Sequence, residues 1–179
     1  MRPALLPKGA SARTEQIILF RVSGQLLAVS SSSVQEVRSA DSLAGASSEL
    51  SHPHLRKVTH VVHRFGRLLY VVNGAAHFGL PPAPAALVFI LRGTRTAVLV
   101  DGIEKMATMT RLQALPQAFC HEERQWYRGL TALDQSVTPV VAPDGFLTAE
   151  EIALLDASLN SDEKRQPGSA AEGEGEWTQ

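Results

Sequence analysis

What most constrains this chain is a succession of short aliphatic and β-branched runs, each ended by turn residues, which is the signature of a many-stranded all-β fold. Ile17 to Val22, the turn Ser23-Gly24-Gln25 and Leu26 to Val29 form one hairpin signal, with Gly24 able to take the positive φ of a tight turn. Leu87 to Leu91, the turn Arg92-Gly93-Thr94-Arg95 and Thr96 to Val100 form a second. Arg67 to Val72 after Gly66, and Ser136 to Val141 after Asp134-Gln135, add two more strands. The runs are nearly continuous rather than strictly alternating, so the strands are expected to be buried on at least one full face, as in small closed barrels.

Helical signals are brief: Ser33 to Arg38, Arg111 to Leu115, and Thr148 to Ser158. In the last, Thr148 supplies an N-cap, Glu150 and Glu151 favour the positive end, and Ile152, Leu155 and Leu159 recur at helical spacing. An internal duplication is also visible. A hairpin followed by Val34-Gln35-Glu36-Val37-Arg38 and a later strand is echoed by a hairpin followed by Asp101-Gly102-Ile103-Glu104-Lys105 and a later strand, which points to two related lobes.

At 179 residues the chain can bury one core. Residues 1–15 lack an apolar period and are expected to be a flexible lead-in, residues 16–157 the folded domain, and residues 158–179 a disordered acidic tail carrying Trp177. A formal net charge of -1 gives no pull toward nucleic acid. Cys120 is the one cysteine, so no internal disulfide forms. The apolar run Ala85 to Leu91 is too short to span a bilayer, and the start of the chain has no signal core; these features favour a cytoplasmic protein without membrane insertion.

The patterns that would carry chemistry lack supporting groups. His52, His54, His60 and His63 are close in sequence, but no acidic or cysteine ligands stand at metal-site spacing, so they are read as surface or loop residues. Cys120 beside His121 has no third, orienting group. Glu122-Glu123 and Glu150-Glu151 point in different directions, and Ser30 to Ser33 lacks the glycines and lysine of a phosphate loop. No enzyme activity, cofactor or metal is expected.

In their order and spacing, several segments resemble the CheW-like family, the adaptors that join chemoreceptors to a histidine kinase. They are Val34-Gln35-Glu36-Val37-Arg38, Val98-Leu99-Val100-Asp101-Gly102-Ile103, Tyr127-Arg128-Gly129-Leu130 and Glu150-Glu151-Ile152-Ala153-Leu154-Leu155-Asp156. The resemblance covers roughly Gln16 to Ala157. It implies two five-stranded SH3-like barrel lobes sharing a core with a short C-terminal helix, and no catalytic site. It also implies two partners, the regulatory domain of a CheA-like histidine kinase and the cytoplasmic tip of a methyl-accepting chemoreceptor. One segment departs from the family. Where most relatives carry Asn-hydrophobic-Arg-Gly, this chain has His63-Arg64-Phe65-Gly66, and the Asp that commonly ends the following strand is Asn73. The arginine is thus one place early, which alternation along a strand would turn to the opposite face. Local repacking with binding kept, a changed partner set and a degraded copy are all compatible with that shift. The alternative function is a divergent scaffold binding only one of these partners, or an unrelated one. The candidate partner-binding residues are Val34, Val37, Arg38, His63, Arg64, Phe65, Gly66, Arg67, Val98, Val100 and Ile103. The aliphatic members are equally suited to a core, whereas a charged or large residue beside a turn glycine is harder to bury.

Overall fold

A computed structural model describes residues 14–44, 47–64 and 66–165; Phe65, Trp177 and most of the expected lead-in and tail lie outside these. The chain divides into two compact units, one ending at Leu147 and one beginning at Thr148.

In the first unit the strands are β1 (Glu15–Val22), β2 (Gln25–Ser30), β3 (Val34–Ser39), β4 (Ser47–Glu49), β5 (Val58–Arg64) and β6 (Arg67–Asn73), followed by β7 (Leu87–Leu91), β8 (Thr96–Val100), β9 (Gly102–Met109), β10 (Tyr127–Leu133) and β11 (Ser136–Val141). Two helical turns interrupt them, α1 (Gly74–His77) and α2 (Glu123–Trp126). All six expected strands are present. Two expected helical pieces are not. Val34–Ser39 is a strand, because β-branched Val34 and Val37 suit a pleated surface and pair with Leu91 and Phe89 of β7. Residues 111–115 run extended, and Gln113 exchanges backbone hydrogen bonds with Leu130 at 2.7 and 2.9 Å.

The strands form a five-stranded sheet in the order β10-β11-β2-β1-β9 and a six-stranded sheet in the order β3-β7-β8-β6-β5-β4, the sixth strand being the three-residue β4. The order explains the internal duplication. Hairpin β1-β2 is followed by β3, which leaves it to pair with β7; hairpin β7-β8 is followed by β9, which leaves it to pair with β1. The later hairpins obey the same rule, since β6 joins β8 and β11 joins β2, both in parallel. Each lobe therefore contains strands from both halves of the chain.

This exchange accounts for the unbroken apolar runs. Ile17 and Leu19 of β1 belong to the interior of the first lobe with Ala28, Met109 and Val140. Ile18, Phe20 and Val22 alternate to the other face and are also buried. In β7, Val88 and Ile90 line the second lobe, and Phe89 points the other way to meet Phe20, with ring centroids 5.3 Å apart. Burying one such ring stabilises by about 1.5–3 kcal/mol, and a tilted ring pair adds about 0.5–1.5 kcal/mol. The lobes also meet at α1. A Cβ on Gly74 would lie 2.6 Å from the Leu99 carbonyl oxygen and 3.2 Å from a Val22 methyl, so only glycine lets this turn seat against both sheets. Asn73 caps the turn, its side-chain oxygen accepting from the Ala76 N–H at 3.1 Å.

The second unit is described by its helix, α3 (Ala149–Arg165), which runs beyond the expected end at Ser158. Its start carries a capping box: Thr148 Oγ1 accepts from the Glu151 N–H at 3.2 Å and Glu151 Oε2 from the Thr148 N–H at 2.9 Å.

His77, in the last turn of α1, is only 5% exposed and is ringed by Phe78, Trp126 and Phe146 at centroid distances of 4.7–4.9 Å. Its Nε2 has no hydrogen-bond partner among the described residues. Burial, reinforced by the charge of Lys57, pushes the imidazole down to about 3 from its ordinary 6.5. The unfolded chain therefore takes up this proton first, and stability is lost as pH falls below the unfolded value, by at most about 1.4 kcal/mol per unit. Urea denaturation at pH 7.5 and pH 5 is expected to show a loss of about 1–2 kcal/mol in the native chain that His77→Phe does not share.

Candidate functional site

The two lobes close in different ways. In the five-stranded sheet the segment that follows β9 is joined to the other end strand, β10, by the backbone Gln113–Leu130 bridge and by a Thr131 Oγ1 donation to the Arg111 carbonyl at 2.9 Å. In the six-stranded sheet no ladder among the described residues joins β3 to β5. There the seam is spanned by side chains: Arg64 Nη2, at the end of β5, donates to both carboxylate oxygens of Glu36 on β3, at 2.9 and 2.7 Å. Arg38 Nε adds a third bond to Glu36 at 2.6 Å.

The position of Glu36 follows from a bulge. The β3–β7 register slips between Val34 and Glu36, which brings Glu36 opposite Ile90, on the side that Ile90 shares with the barrel interior. The duplicate strand does the same. The β1–β9 register slips between Ile103 and Lys105, Lys105 stands opposite Leu19, and its ammonium pairs with Asp134 in the β10–β11 turn. The two clasps occupy corresponding places with opposite charge order. Lys105 and Asp134 are both well exposed and add little stability. Glu36 and Arg64 are each about three-quarters buried, where a charge-assisted bond to a guanidinium gives direction as well as strength.

Beside the Glu36–Arg64 clasp the second barrel opens into a pocket of about 110 Å³. Arg38, Ser42, His63 and Arg64 form its polar rim. Its floor is Leu69, Val71, Val88, Ile90 and Ala97, the interior of the barrel itself. The arrangement has the parts of a protein-docking site: an apolar recess for one anchoring side chain and a rim of directional donors.

The structure brings together Arg38, His63 and Arg64 from the sequence-derived candidates. Val34 is nearly buried and Val37 is 37% exposed, both on β3 beside the clasp. Gly66, with φ +72°, forms the turn between β5 and β6, and half-buried Arg67 stands opposite Arg64 across it. Ile103, 42% exposed, lies on β9 in the other sheet. Val98 and Val100 are each 1% exposed; their β-branched side chains fill the core, and the docking surface is drawn without them. Phe65 is outside the described residues. The early placement of Arg64 does not take it away from β3, because as the last residue of β5 it reaches sideways across the seam. Glu36 was missing from the candidates. Nothing local in Val34-Gln35-Glu36-Val37-Arg38 marks it as the partner of Arg64, 28 residues on.

Other polar side chains of the segments named from the sequence are engaged within the chain. Arg92 Nε donates to the Ser32 carbonyl at 3.1 Å, Arg95 lies 5.3 Å over the Tyr70 ring, and Arg128 holds both carboxylate oxygens of Glu15 at 2.8 and 3.1 Å. Cys120 Sγ accepts from the Glu123 N–H at 3.5 Å. Among the described residues no three His, Cys, Asp or Glu side chains converge on a metal-sized space.

A family model described as a CheW-like domain matches residues 16–151. The crystal structure of the scaffolding protein TtCheW from Thermoanaerobacter tengcongensis matches with a TM-score of 0.59 and 14% sequence identity, covering 73% of this chain and 90% of that one. At that identity the likeness is one of fold. No curated protein matches in sequence.

The hydrogen bond from Arg38, followed by the charge of Arg64, holds the Glu36 carboxyl below the usual carboxylate range. A group depressed in this way favours the folded state above its unfolded value, and that contribution is lost as pH falls through the folded value. Carboxyl titration by NMR is expected to move the Glu36 midpoint upward in both Arg38→Ala and Arg64→Ala; an unmoved midpoint in Arg64→Ala would mean that the clasp is absent in solution.

Proposed function

The chain belongs to the CheW-like family, whose members are non-enzymatic scaffolds of chemotaxis signalling, and on that premise we propose that it couples methyl-accepting chemoreceptors to a CheA-like histidine kinase in the cytoplasm. The reading is supported by one arrangement above the others, the apolar recess at the β3–β5 seam with Arg38 and Arg64 fixed beside it by Glu36. Such a site works by fit. The recess accepts an apolar side chain, the arginines offer donors to acceptor groups around it, and the shared carboxylate keeps both guanidiniums pre-positioned so that little ordering is left to the moment of binding. No helix among the described residues is long and apolar enough to cross a membrane.

A receptor array supplies many copies of each partner, so single contacts need only modest affinity and multivalency provides the rest. The alternative is a divergent scaffold that binds only one of the two partners, or an unrelated one. His63-Arg64-Phe65-Gly66 favours it, because an apolar Phe65 at the place where relatives carry the guanidinium changes what a partner must present.

Titration calorimetry against the regulatory domain of a co-occurring CheA-like kinase and against a receptor-tip fragment separates the readings. Binding to both is expected, with Arg64→Ala weakening at least one of them about tenfold while the circular dichroism spectrum is kept. Binding to one alone selects the accessory scaffold, and binding to neither removes the coupling reading.

A further inference from the structure

We propose that two copies of this chain exchange halves to form a dimer, with the proline-rich segment between α1 and β7 as the hinge. The first support is the pairing pattern. Strands β1 to β6 belong to the first half of the chain and β7 to β11 to the second. Within a half every ladder is a hairpin: β1–β2, β4–β5 and β5–β6 in the first, β7–β8 and β10–β11 in the second. The ladders that join these hairpins into sheets, β1–β9, β2–β11, β3–β7 and β6–β8, all cross between halves. The Phe20–Phe89 ring pair and the seat of Gly74 on Leu99 cross in the same way. A second copy can therefore supply the whole of the other half through contacts that one chain already makes, which is the condition for domain swapping.

The second support is the hinge. Gly74 packs against the Leu99 carbonyl, and the Ala86 N–H donates to the Val100 carbonyl at 3.1 Å, so the chain leaves and returns to neighbouring residues of β8. On the way it passes through Leu80-Pro81-Pro82-Ala83-Pro84-Ala85, whose three prolines are all exposed. Prolines keep such a segment extended and stiff, which opposes a return to the same place and favours a chain that runs on into a neighbour. Little holds the segment in its present path. Ala83 and Ala85, which carry the N–H groups of residues 81–85, donate to nothing among the described residues; the Ser23 hydroxyl donates to the Pro81 carbonyl at 2.5 Å.

The exchange reaches the recess at the β3–β5 seam. Its rim residues Arg38, His63 and Arg64 come from the first half, whereas Val88, Ile90 and Ala97 of its floor come from the second. In the dimer each recess is completed by the partner copy, and one assembly presents two of them. Two linked sites on a scaffold raise avidity without any new contact.

Closure within one chain competes with the exchange. Through a short linker it acts like a concentration on the order of 1 mM. The dimer is therefore favoured when folding takes place at comparable protein concentration, and its release requires unfolding.

The test uses the full chain with Cys120→Ser, which removes the native thiol. Ser39 and Leu87 stand opposite each other across β3–β7. Ser39→Cys in one copy and Leu87→Cys in another are therefore brought together only when the halves have exchanged. The two copies are unfolded in urea, mixed, refolded at about 1 mM and oxidised. A disulfide-linked pair of copies is expected, and its yield should fall severalfold when Pro81→Gly, Pro82→Gly and Pro84→Gly are made together in both. The double variant Ser39→Cys/Leu87→Cys, folded at low concentration, should close its disulfide within one chain. A mixed refold that gives monomers only, while the double variant closes, would overturn the exchange. Equal yields of the linked pair from copies folded separately before mixing would do the same, because collision of folded monomers would account for it. An unchanged yield in the glycine variant would overturn the hinge. Light scattering on the native chain refolded at the same concentration should show a dimer that persists on dilution; monomer alone would overturn the proposal whatever the disulfides do.

Discussion

Because β3 leaves its hairpin to pair with β7, while β9 leaves its own to pair with β1, neither lobe can be completed by one half of the chain. The exchange puts β1 and β7 between the lobe interiors and the layer that joins them, so both faces of each strand must be apolar. Phe20 against Phe89 and the close seat of Gly74 on Leu99 and Val22 follow from that placement. Local loosening of one lobe withdraws a strand from the other, which couples their stabilities.

The same exchange creates the two seams. A strand donated from elsewhere meets the far edge of its new sheet without a hairpin to set the register, and a bulge adjusts it. In both lobes the residue after that bulge is charged and reaches the end of the opposing hairpin, Glu36 to Arg64 and Lys105 to Asp134. Where backbone closes the seam, as at Gln113 and Leu130, the ion pair is an exposed addition. Where it does not, the ion pair is the closure and the interior stays accessible beside it. A scaffold of the CheW-like family has no reaction to perform, and the seam closed by side chains leaves a recess beside its ion pair.

Much of this was legible in the sequence. The six apolar runs became strands at nearly the expected limits, and the duplication of hairpin, charged segment and later strand was visible without coordinates. Ser33 to Arg38 was misread as helical because a short segment with polar residues between valines satisfies either period; the unpaired edge of β7 decides it for Val34 onward. Strands β4, β5, β9 and β10 escaped notice for a related reason: β4, β9 and β10 end their sheets and β5 is covered on one side only by the three-residue β4, so polar residues such as His60, Lys105 and Arg128 are tolerated and the apolar signal is diluted. Of the candidate site, Arg38 and Arg64 were found because a charged side chain resists burial, and His63 because it opens the His63-Arg64-Phe65-Gly66 segment. Val98 and Val100 were included on their motif, and Glu36 was missed, because pairing across a seam between strands so far apart in sequence leaves no local mark.

Residue-resolved native-state hydrogen exchange on the intact chain tests the shared framework most directly. Amides of the β1–β2 ladder and of the β7–β8 ladder should exchange through one global opening with the same free energy. Phe20→Ala, which removes about 3–5 kcal/mol of buried ring and packing, should lower both ladders by the same amount. A β7–β8 ladder that keeps its protection while β1–β2 loses it would contradict the account, since it would show two lobes that fold independently despite the strands they exchange.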